Sequence, residues 1–294
     1  MRAARSTVPG LRSARGITLV ELLVALFVFA IVAALASSGI VQALRVQSLN
    51  EANTSLQGKL RRITEVISQD LRSSLLGVVV DTPYASGSGQ VSFTLAVGGQ
   101  GFEVRRIPGD PPFPTANGVR VFADAPPAAA GQRILLVNGA GLGVTAPIGS
   151  VTSAGNDRYD IRYSSGCTNA IGFTQPLRAF IVDVVGYQLD GGDLMRQTAG
   201  EAAEVVAFDL QSFEVEYGYR DQDGGALVML AAPRSSGGGP PLRIDGTDVL
   251  ESVRVRLTAQ QPLFGNRTAE RTYVAQIALP PTGSVNVRSV VSCP

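Results

Sequence analysis

The sequence predicts an α+β fold, in which one long N-terminal helix packs on a mainly antiparallel β body. An apolar stretch begins directly after residue 16 and continues to residue 44. An apolar stripe at helical spacing extends this pattern to residue 71. From residue 77 onward, short β-rich runs alternate with Gly- and Pro-rich turns. Strands and helices do not alternate along the chain, so we expect the strands to pair antiparallel.

The N-terminal stretch has the features of a membrane anchor. Residues 1–16 form a basic leader without an acid, and the 23 residues from Leu22 to Leu44 carry no charge. At about 1.5 Å per residue this run spans about 34 Å, which is enough to cross a bilayer. Positive charge before a membrane helix stays on the cytoplasmic side. We therefore expect a single-pass inner-membrane protein with a cytoplasmic N-terminus and a periplasmic or extracellular body.

One acid, Glu21, lies near the start of this apolar helix. A carboxylate costs about 2.5–3.5 kcal/mol at the centre of a membrane helix, and less near the N-terminal end, where the helix dipole favours an anion. From these facts alone, an ordinary signal anchor is the simplest interpretation. A cleaved secretory signal peptide fits less well, because the apolar run is long and no small-residue cleavage site ends it.

The segment Gly16-Ile17-Thr18-Leu19-Val20-Glu21, with its basic leader and apolar helix, resembles the N-terminal signature of type IV prepilins and pseudopilins. The family usually has Phe where this chain has Ile17. The resemblance implies cleavage after Gly16 by a prepilin peptidase and N-methylation of Ile17. It also implies that Glu21 sets the register of assembly by pairing with the N-terminal amine of a neighbouring subunit.

The helix is predicted to continue beyond the membrane as an amphipathic segment, because apolar residues recur there on one face. This stripe consists of Leu49, Leu56, Leu60, Ile63, Ile67 and Leu71. The stretch 62–72 resembles the helix end of J-type pseudopilins and PilW-like minor pilins. The expected organisation is a cleaved leader (1–16), a transmembrane and filament-core helix (17–44), its amphipathic continuation (45–76) and a β-rich body (77–294).

The body is predicted to contain ten strands. They are Val91–Val97, Phe102–Ile107, Val119–Phe122, Arg133–Val137, Tyr159–Tyr163, Phe180–Gln188, Val205–Leu210, Phe213–Tyr219, Val249–Thr258 and Thr272–Leu279. Two strands alternate apolar and charged residues, and this predicts a half-exposed antiparallel pair with Glu214 and Glu216 opposite Arg254 and Arg256. The glycine-rich segments 98–101 and 139–143 are interpreted as turns, as is Asp190–Asp193.

Composition limits the chemistry. The chain has no histidine, which excludes a Ser-His-Asp site and a histidine-liganded metal. Of 25 basic residues four lie in the leader, which leaves 21 against 24 acidic residues in the mature chain, a charge of about −3. Cys167 and Cys293 are the two cysteines, and outside the inner membrane they are expected to form a disulfide; two unrelated thiols are the alternative.

Three weaker site candidates remain in the body. Asp221 and Asp223 resemble the start of a calcium loop, but no later acid completes it, so a hairpin turn is favoured and no metal is expected. The carboxylates Glu201 and Glu204 have no partner acid that would make a glycosidase site. A basic–aromatic patch that touches nucleic acid is conceivable, although scattered solvated arginines are favoured; its members are Arg105, Arg106, Arg120, Arg133, Phe102 and Phe122.

The function implied by the resemblance is assembly, without a cofactor and without catalysis. We expect a minor pilin or pseudopilin of a type IV pilus or type II secretion pseudopilus, at a tip or initiating position because the body is bulky. Its expected partners are other pilin-type subunits, prepilin peptidase and an inner-membrane assembly platform. The alternative is a DNA- or surface-binding receptor pilin used in natural transformation or adhesion. A membrane-anchored exported enzyme is a remote third possibility.

Overall fold

A computed structural model describes residues 18–80, 83–113, 115–138, 143–163, 176–221, 225–233, 248–263, 267–279 and 289–293. These ranges contain one helix followed by fourteen strands, which confirms the predicted α+β class. The helix α1 spans Leu19–Arg72, and the strands are β1 (Ser74–Val79), β2 (Gln90–Arg105), β3 (Gly118–Phe122), β4 (Arg133–Asn138), β5 (Gly143–Ser153), β6 (Arg158–Tyr163), β7 (Pro176–Asp190), β8 (Asp193–Thr198), β9 (Glu204–Ala207), β10 (Leu210–Asp221), β11 (Val228–Leu230), β12 (Asp248–Leu263), β13 (Arg267–Ala278) and β14 (Ser289–Ser292).

The helix ends four residues before the predicted boundary at residue 76. The hydroxyls of Ser73 and Ser74 donate to the carbonyls of Asp70 and Leu71, at 2.9 and 2.7 Å. These bonds add to the backbone N–H of Ser73 in satisfying carbonyls of the last helical turn. Strand β1 then begins at once. The apolar stripe could not mark this boundary, because buried residues continue from the helix into the strand.

The C-terminal half of α1 packs on the body. Its buried stripe shares a core with β10 and β12 of a four-stranded sheet and with β2 and β7 of a larger sheet. The buried apolar residues are Ala52, Leu56, Leu60, Ile63, Ile67 and Leu71. Five of these six were predicted from the periodicity, and Leu49, predicted with them, remains exposed below the body.

The smaller sheet has the strand order β11-β10-β12-β13 and is antiparallel throughout. The predicted cross-strand pairs are confirmed: Glu214 lies opposite Arg256 and Glu216 opposite Arg254. The Arg254–Glu216 ion pair has a separation of 3.0 Å, and the Arg256–Glu214 pair 3.6 Å. The charged face of this sheet is therefore exposed, while the opposite face contributes to the core under α1.

The larger sheet closes on itself twice. Strands β1, β2, β7, β4, β5 and β14 pair in a closed circuit, and β2, β3, β6, β5, β4 and β7 form a second circuit that shares four strands with the first. Strand β4 is buried on both faces, with Ile134 and Leu136 in one core and Leu135 in the other. Strand β14 completes the first circuit through parallel pairings with β1 and β5.

The glycine-rich segment 98–101 is not the predicted turn but part of the 16-residue strand β2. Its pairing with β7 shifts register between Ala96 and Gly101. Gly98 has a φ of +76°, and a Cβ at Gly101 would lie 2.5 Å from Cε1 of Phe180. Glycine is therefore needed for a bulge and a close approach inside the strand. Of the second predicted turn, residues 139–142 lie outside the described ranges and Gly143 begins β5.

Candidate assembly site on the N-terminal helix

Thr18 and Glu21 cap the N-terminal end of α1 by reciprocal hydrogen bonds. The backbone N–H of Glu21 donates to Oγ1 of Thr18 at 3.3 Å. The backbone N–H and the hydroxyl of Thr18 both donate to Oε2 of Glu21, each at 3.2 Å. This arrangement is a capping box, which satisfies free donors at a helix start. Within the described residues Oε1 of Glu21 has no partner, so one carboxylate oxygen remains available for a second contact.

The first half of α1 stands free of the body. An 18-residue window of it is strongly apolar and entirely unburied, and the helix has the length and composition to cross a membrane. Phe27 and Phe29 are 69% and 70% exposed. A contiguous apolar surface of this size on a soluble protein marks an interaction with lipid or with other chains. The same helix therefore offers an apolar shaft with a single carboxylate at its tip.

Asp70 anchors the other end of the helix to the larger sheet. The hydroxyl of Tyr187 on β7 donates to Oδ2 of Asp70 at 2.7 Å, and Nε of Arg196 on β8 donates to the same oxygen at 3.1 Å. Burial raises the pKa of the Tyr187 phenol above its ordinary value, and its bond to Asp70 adds to this effect. The phenol therefore remains a donor at neutral pH, and the helix is fixed relative to the body.

Comparison with known protein families identifies the N-terminal segment. The prokaryotic N-terminal methylation motif matches residues 11–37, which include the leader's end, the cap and the apolar run. The chain carries the type IV prepilin-type signature. The motif implies processing by prepilin peptidase and assembly with other pilins. No curated protein and no solved structure matches the chain.

The structure places only part of the predicted processing site. Gly16 and Ile17 lie outside the described residues, whereas Glu21 is at the helix cap. Cleavage after Gly16, methylation of Ile17 and the assembly role of Glu21 therefore remain predictions. The J-type or PilW-like subtype also remains a prediction, because the matched motif is common to the whole signature class.

The C-terminal strand is held in place by a buried arginine. The Arg133 guanidinium donates to the carbonyl oxygen of Cys293 and lies 5.4 Å from the ring centroid of Tyr84. Burial lowers the pKa of this guanidinium. Cys293 is disulfide-bonded. Its expected partner Cys167 lies outside the described residues, so the pairing of these two cysteines remains a prediction.

The predicted basic–aromatic patch is not a single surface. Arg133 is buried beside β14, and Arg120 donates through Nε and Nη2 to Asp160 at 2.7 and 2.8 Å. Arg105 lies 4.9 Å from the ring centroid of Phe122. Arg105 and Arg120 are cross-strand neighbours on β2 and β3, so they lie together with Phe122. The remaining two members lie elsewhere: Arg106 is exposed beyond the end of β2, and Phe102 packs on an interior cluster. The four arginines therefore do not form one basic surface of the kind that would bind nucleic acid.

The two strands that flank the weak metal candidates in the chain pair antiparallel, as the favoured hairpin interpretation predicted. Tyr219 on β10 pairs with Val228 on β11. Asp223 and the side chain of Asp221 lie outside what the structure describes. In the described ranges, no group of three or more His, Cys, Asp or Glu residues could hold a metal ion. Asp190–Asp193 is a turn, between β7 and β8.

Sequence reasoning missed three contributors to these contacts. Thr18 was detectable, because Thr18-Leu-Val-Glu21 has the Ser/Thr-x-x-Glu spacing of a capping box before an apolar run. Tyr187, which binds Asp70 across 117 positions, had no local signal. Neither had Arg158, whose Cζ lies 5.6 Å from the ring centroid of Phe122.

Proposed function

We propose that the mature protein is a minor pilin or pseudopilin, a structural subunit of a type IV pilus or type II secretion pseudopilus. Prepilin peptidase cleaves after Gly16, Ile17 is methylated, and the subunit is drawn from the inner membrane into a filament. In this account the leader faces the cytoplasm and the body lies outside the membrane. The protein acts by assembly and requires no cofactor.

One observation carries the proposal. The apolar first half of α1 does not pack on the body, and a carboxylate that takes part in the helix cap, that of Glu21, lies at its start. The exposed half of α1 can leave the lipid only if other apolar surface replaces the lipid, and neighbouring helices of the same kind provide it. Glu21 is costly in this environment unless a cation compensates it. The N-terminal amine of a neighbouring subunit supplies that charge, and Oε1 of Glu21 is available for it.

The size of the body supports a position at the tip or an initiating role. About 220 residues follow the helix, and they form two sheets with three buried cores. Copies of so large a body, repeated along a narrow helical shaft, would compete for the same space. A subunit used once or a few times avoids this crowding.

The test replaces Glu21 with glutamine in the native host. Glutamine also caps a helix from this position, so Glu21→Gln removes the charge and keeps the capping geometry. We expect the amount in the membrane to be unchanged and the amount in the filament fraction to fall about tenfold or more, because a lost contact of about 1.4 kcal/mol has that effect.

Glu51→Gln is the matched control, because Glu51 is also an exposed acid on α1. It lies outside the apolar run and should enter filaments normally. Equal incorporation of the Glu21→Gln and Glu51→Gln variants would contradict the proposed role of Glu21.

A further inference from the structure

A polar pocket of about 680 Å³ lies where α1, both sheets and two turns meet. We call it the basal pocket, because α1 enters the body here. Its lining includes Ser55 and Lys59 of α1, Asp193 of the β7–β8 turn, Asp209 and Gln211 at the β9–β10 turn, and Gln261 of β12. Pockets of this size suit a ligand or a protruding side chain of a partner.

The polar side chains of the basal pocket are largely unused. Within the described residues, five side chains of the pocket make no hydrogen bond or ion pair: Ser55, Asp193, Asp209, Gln211 and Gln261. By contrast, other acids of the protein pair with an arginine. Lys59 is already engaged, because its ammonium donates to the carbonyl oxygen of Phe208. The pocket thus offers two carboxylates and several amide or hydroxyl groups to an incoming group.

An exposed aromatic residue directly precedes Asp209 of the basal pocket in the chain. Phe208 is 59% exposed on the short turn between β9 and β10. The next residue, Asp209, has a φ of +54°, which is uncommon for a residue other than glycine. Because Lys59 holds the Phe208 carbonyl, the turn is fixed to α1 with its phenyl ring in solvent. Exposed aromatics in fixed positions are characteristic anchors of protein interfaces.

The basal pocket lies on the same side of α1 as exposed apolar residues of its first half, with the buried Ala52 between them. Positions 41, 44, 48, 52, 55 and 59 follow one another at intervals of three or four, so they lie on one side of the helix. Val41 and Leu44 on this side are exposed and apolar, and Ser55 and Lys59 line the pocket. A neighbouring chain that lies along this side of the shaft is therefore guided to the pocket.

We propose that the basal pocket receives a neighbouring prepilin-type subunit, which places a basic side chain beside Asp193 and Asp209 and an apolar group on Phe208. This inference rests on the proposed assembly function and names the contact that the body adds to the helix contact. The acidic pocket selects a cationic group, and the exposed ring contributes apolar area that the free subunit leaves in water.

The experiment uses the full chain in its native host with a photoreactive residue at one position. The variants Phe208→p-benzoylphenylalanine, Phe29→p-benzoylphenylalanine and Val228→p-benzoylphenylalanine test the pocket, the helix shaft and the opposite end of β10. Adducts formed on irradiation are identified by mass spectrometry. We expect the probes at positions 208 and 29 to capture proteins with the N-terminal methylation motif, and the probe at 228 to capture none.

The charge requirement is tested by adding Asp193→Asn and Asp209→Asn to the position-208 variant. Asparagine tolerates the left-handed conformation of Asp209, so the fold is retained. We expect the adduct yield to fall about fivefold, as for a lost pair of about 1 kcal/mol. Asp157→Asn is the matched control, because Asp157 has a φ of +55° on the separate β5–β6 turn, and it should leave the yield unchanged.

The outcomes separate this inference from the proposed function. A pilin-type adduct at position 29 without one at 208, or an adduct at 208 with a glycan or an unrelated protein, overturns the basal pocket alone. An adduct at 208 that is insensitive to both asparagine substitutions overturns the charge selection. No pilin-type adduct at either position overturns the pocket and the assembly function together.

Discussion

Tyr187 and Asp70 join the last turn of α1 to the larger sheet through a 2.7 Å hydrogen bond. The tyrosine is fully buried, and Arg196 binds the same carboxylate oxygen. Because the helix extends far beyond the body, a force on its free half exerts a torque on the body. This contact fixes the helix at the end opposite Glu21, so a force applied at the membrane half is transmitted to both sheets.

We expect Asp70→Ala to lower the free energy of unfolding by about 1.5–3 kcal/mol, because it leaves a buried phenol and a guanidinium without their acceptor. Urea unfolding of the full chain in detergent measures the change. The control is Glu65→Ala, which removes an exposed acid that pairs with Arg61 on the same helix and should have little effect. Equal losses in the two variants would contradict the anchoring role of Asp70.

Stability should decrease at alkaline pH. Burial and the bond to Asp70 raise the pKa of Tyr187 in the folded chain, so the folded state retains a proton that the unfolded chain releases above about pH 10. The stabilisation is therefore complete below about pH 10 and is lost as the pH rises further. Above about pH 10, Tyr187→Phe should make the fall of the free energy of unfolding with pH less steep, by up to about 1.4 kcal/mol per pH unit. Urea midpoints between pH 8 and 11 give this slope; an unchanged slope in the variant would refute the assignment.

Gly101→Ala should destabilise the body by about 1–3 kcal/mol, because the new methyl group would overlap the ring of Phe180 and force β2 and β7 apart. Thermal or urea unfolding measures the loss. Gly89→Ala is the control, since a Cβ there meets no atom within 4 Å. If both alanine variants are equally stable, the close approach at Gly101 is not a constraint on the fold.

Removing the disulfide by Cys293→Ser should cost about 2–5 kcal/mol, because the closed loop is long and β14 completes the circuit between β1 and β5. Unfolding of the oxidised full chain measures this loss. Peptide mapping without reduction should recover Cys167 linked to Cys293. Cys167→Ser should then cause the same loss, and the double variant no additional loss. Additive losses would show that the two cysteines do not pair with each other.

The helix was largely predictable because its signals are local. The basic leader, the uncharged run and the spacing of Thr18 and Glu21 are all read within a few turns. The end of the helix was not, since the side-chain bonds of Ser73 and Ser74 that stop it carry no periodicity. The predicted strands with regular alternation, such as the one around Val255, were found with the correct partners.

The rest of the body could not be read from local patterns. Strand β14 has four residues and gains its stability from β1 and β5, more than 100 positions away. The bulge in β2 has the composition of a turn, and its glycines are explained by the positive φ of Gly98 and by the ring of Phe180 beside Gly101. The basal pocket combines residues from five separate segments. Contacts of this kind depend on closure of the whole sheet, which a single sequence does not display.

The proposed function requires that the N-terminus is processed as that of a pilin-type subunit. The most direct test is the mass of the N-terminal peptide from the membrane fraction, with the full chain expressed with and without a prepilin peptidase. We expect a terminus at N-methylated Ile17 with the peptidase and an intact leader without it. A chain that retains its leader in the presence of an active peptidase, while remaining in the membrane, would contradict the proposed function and leave an ordinary signal anchor.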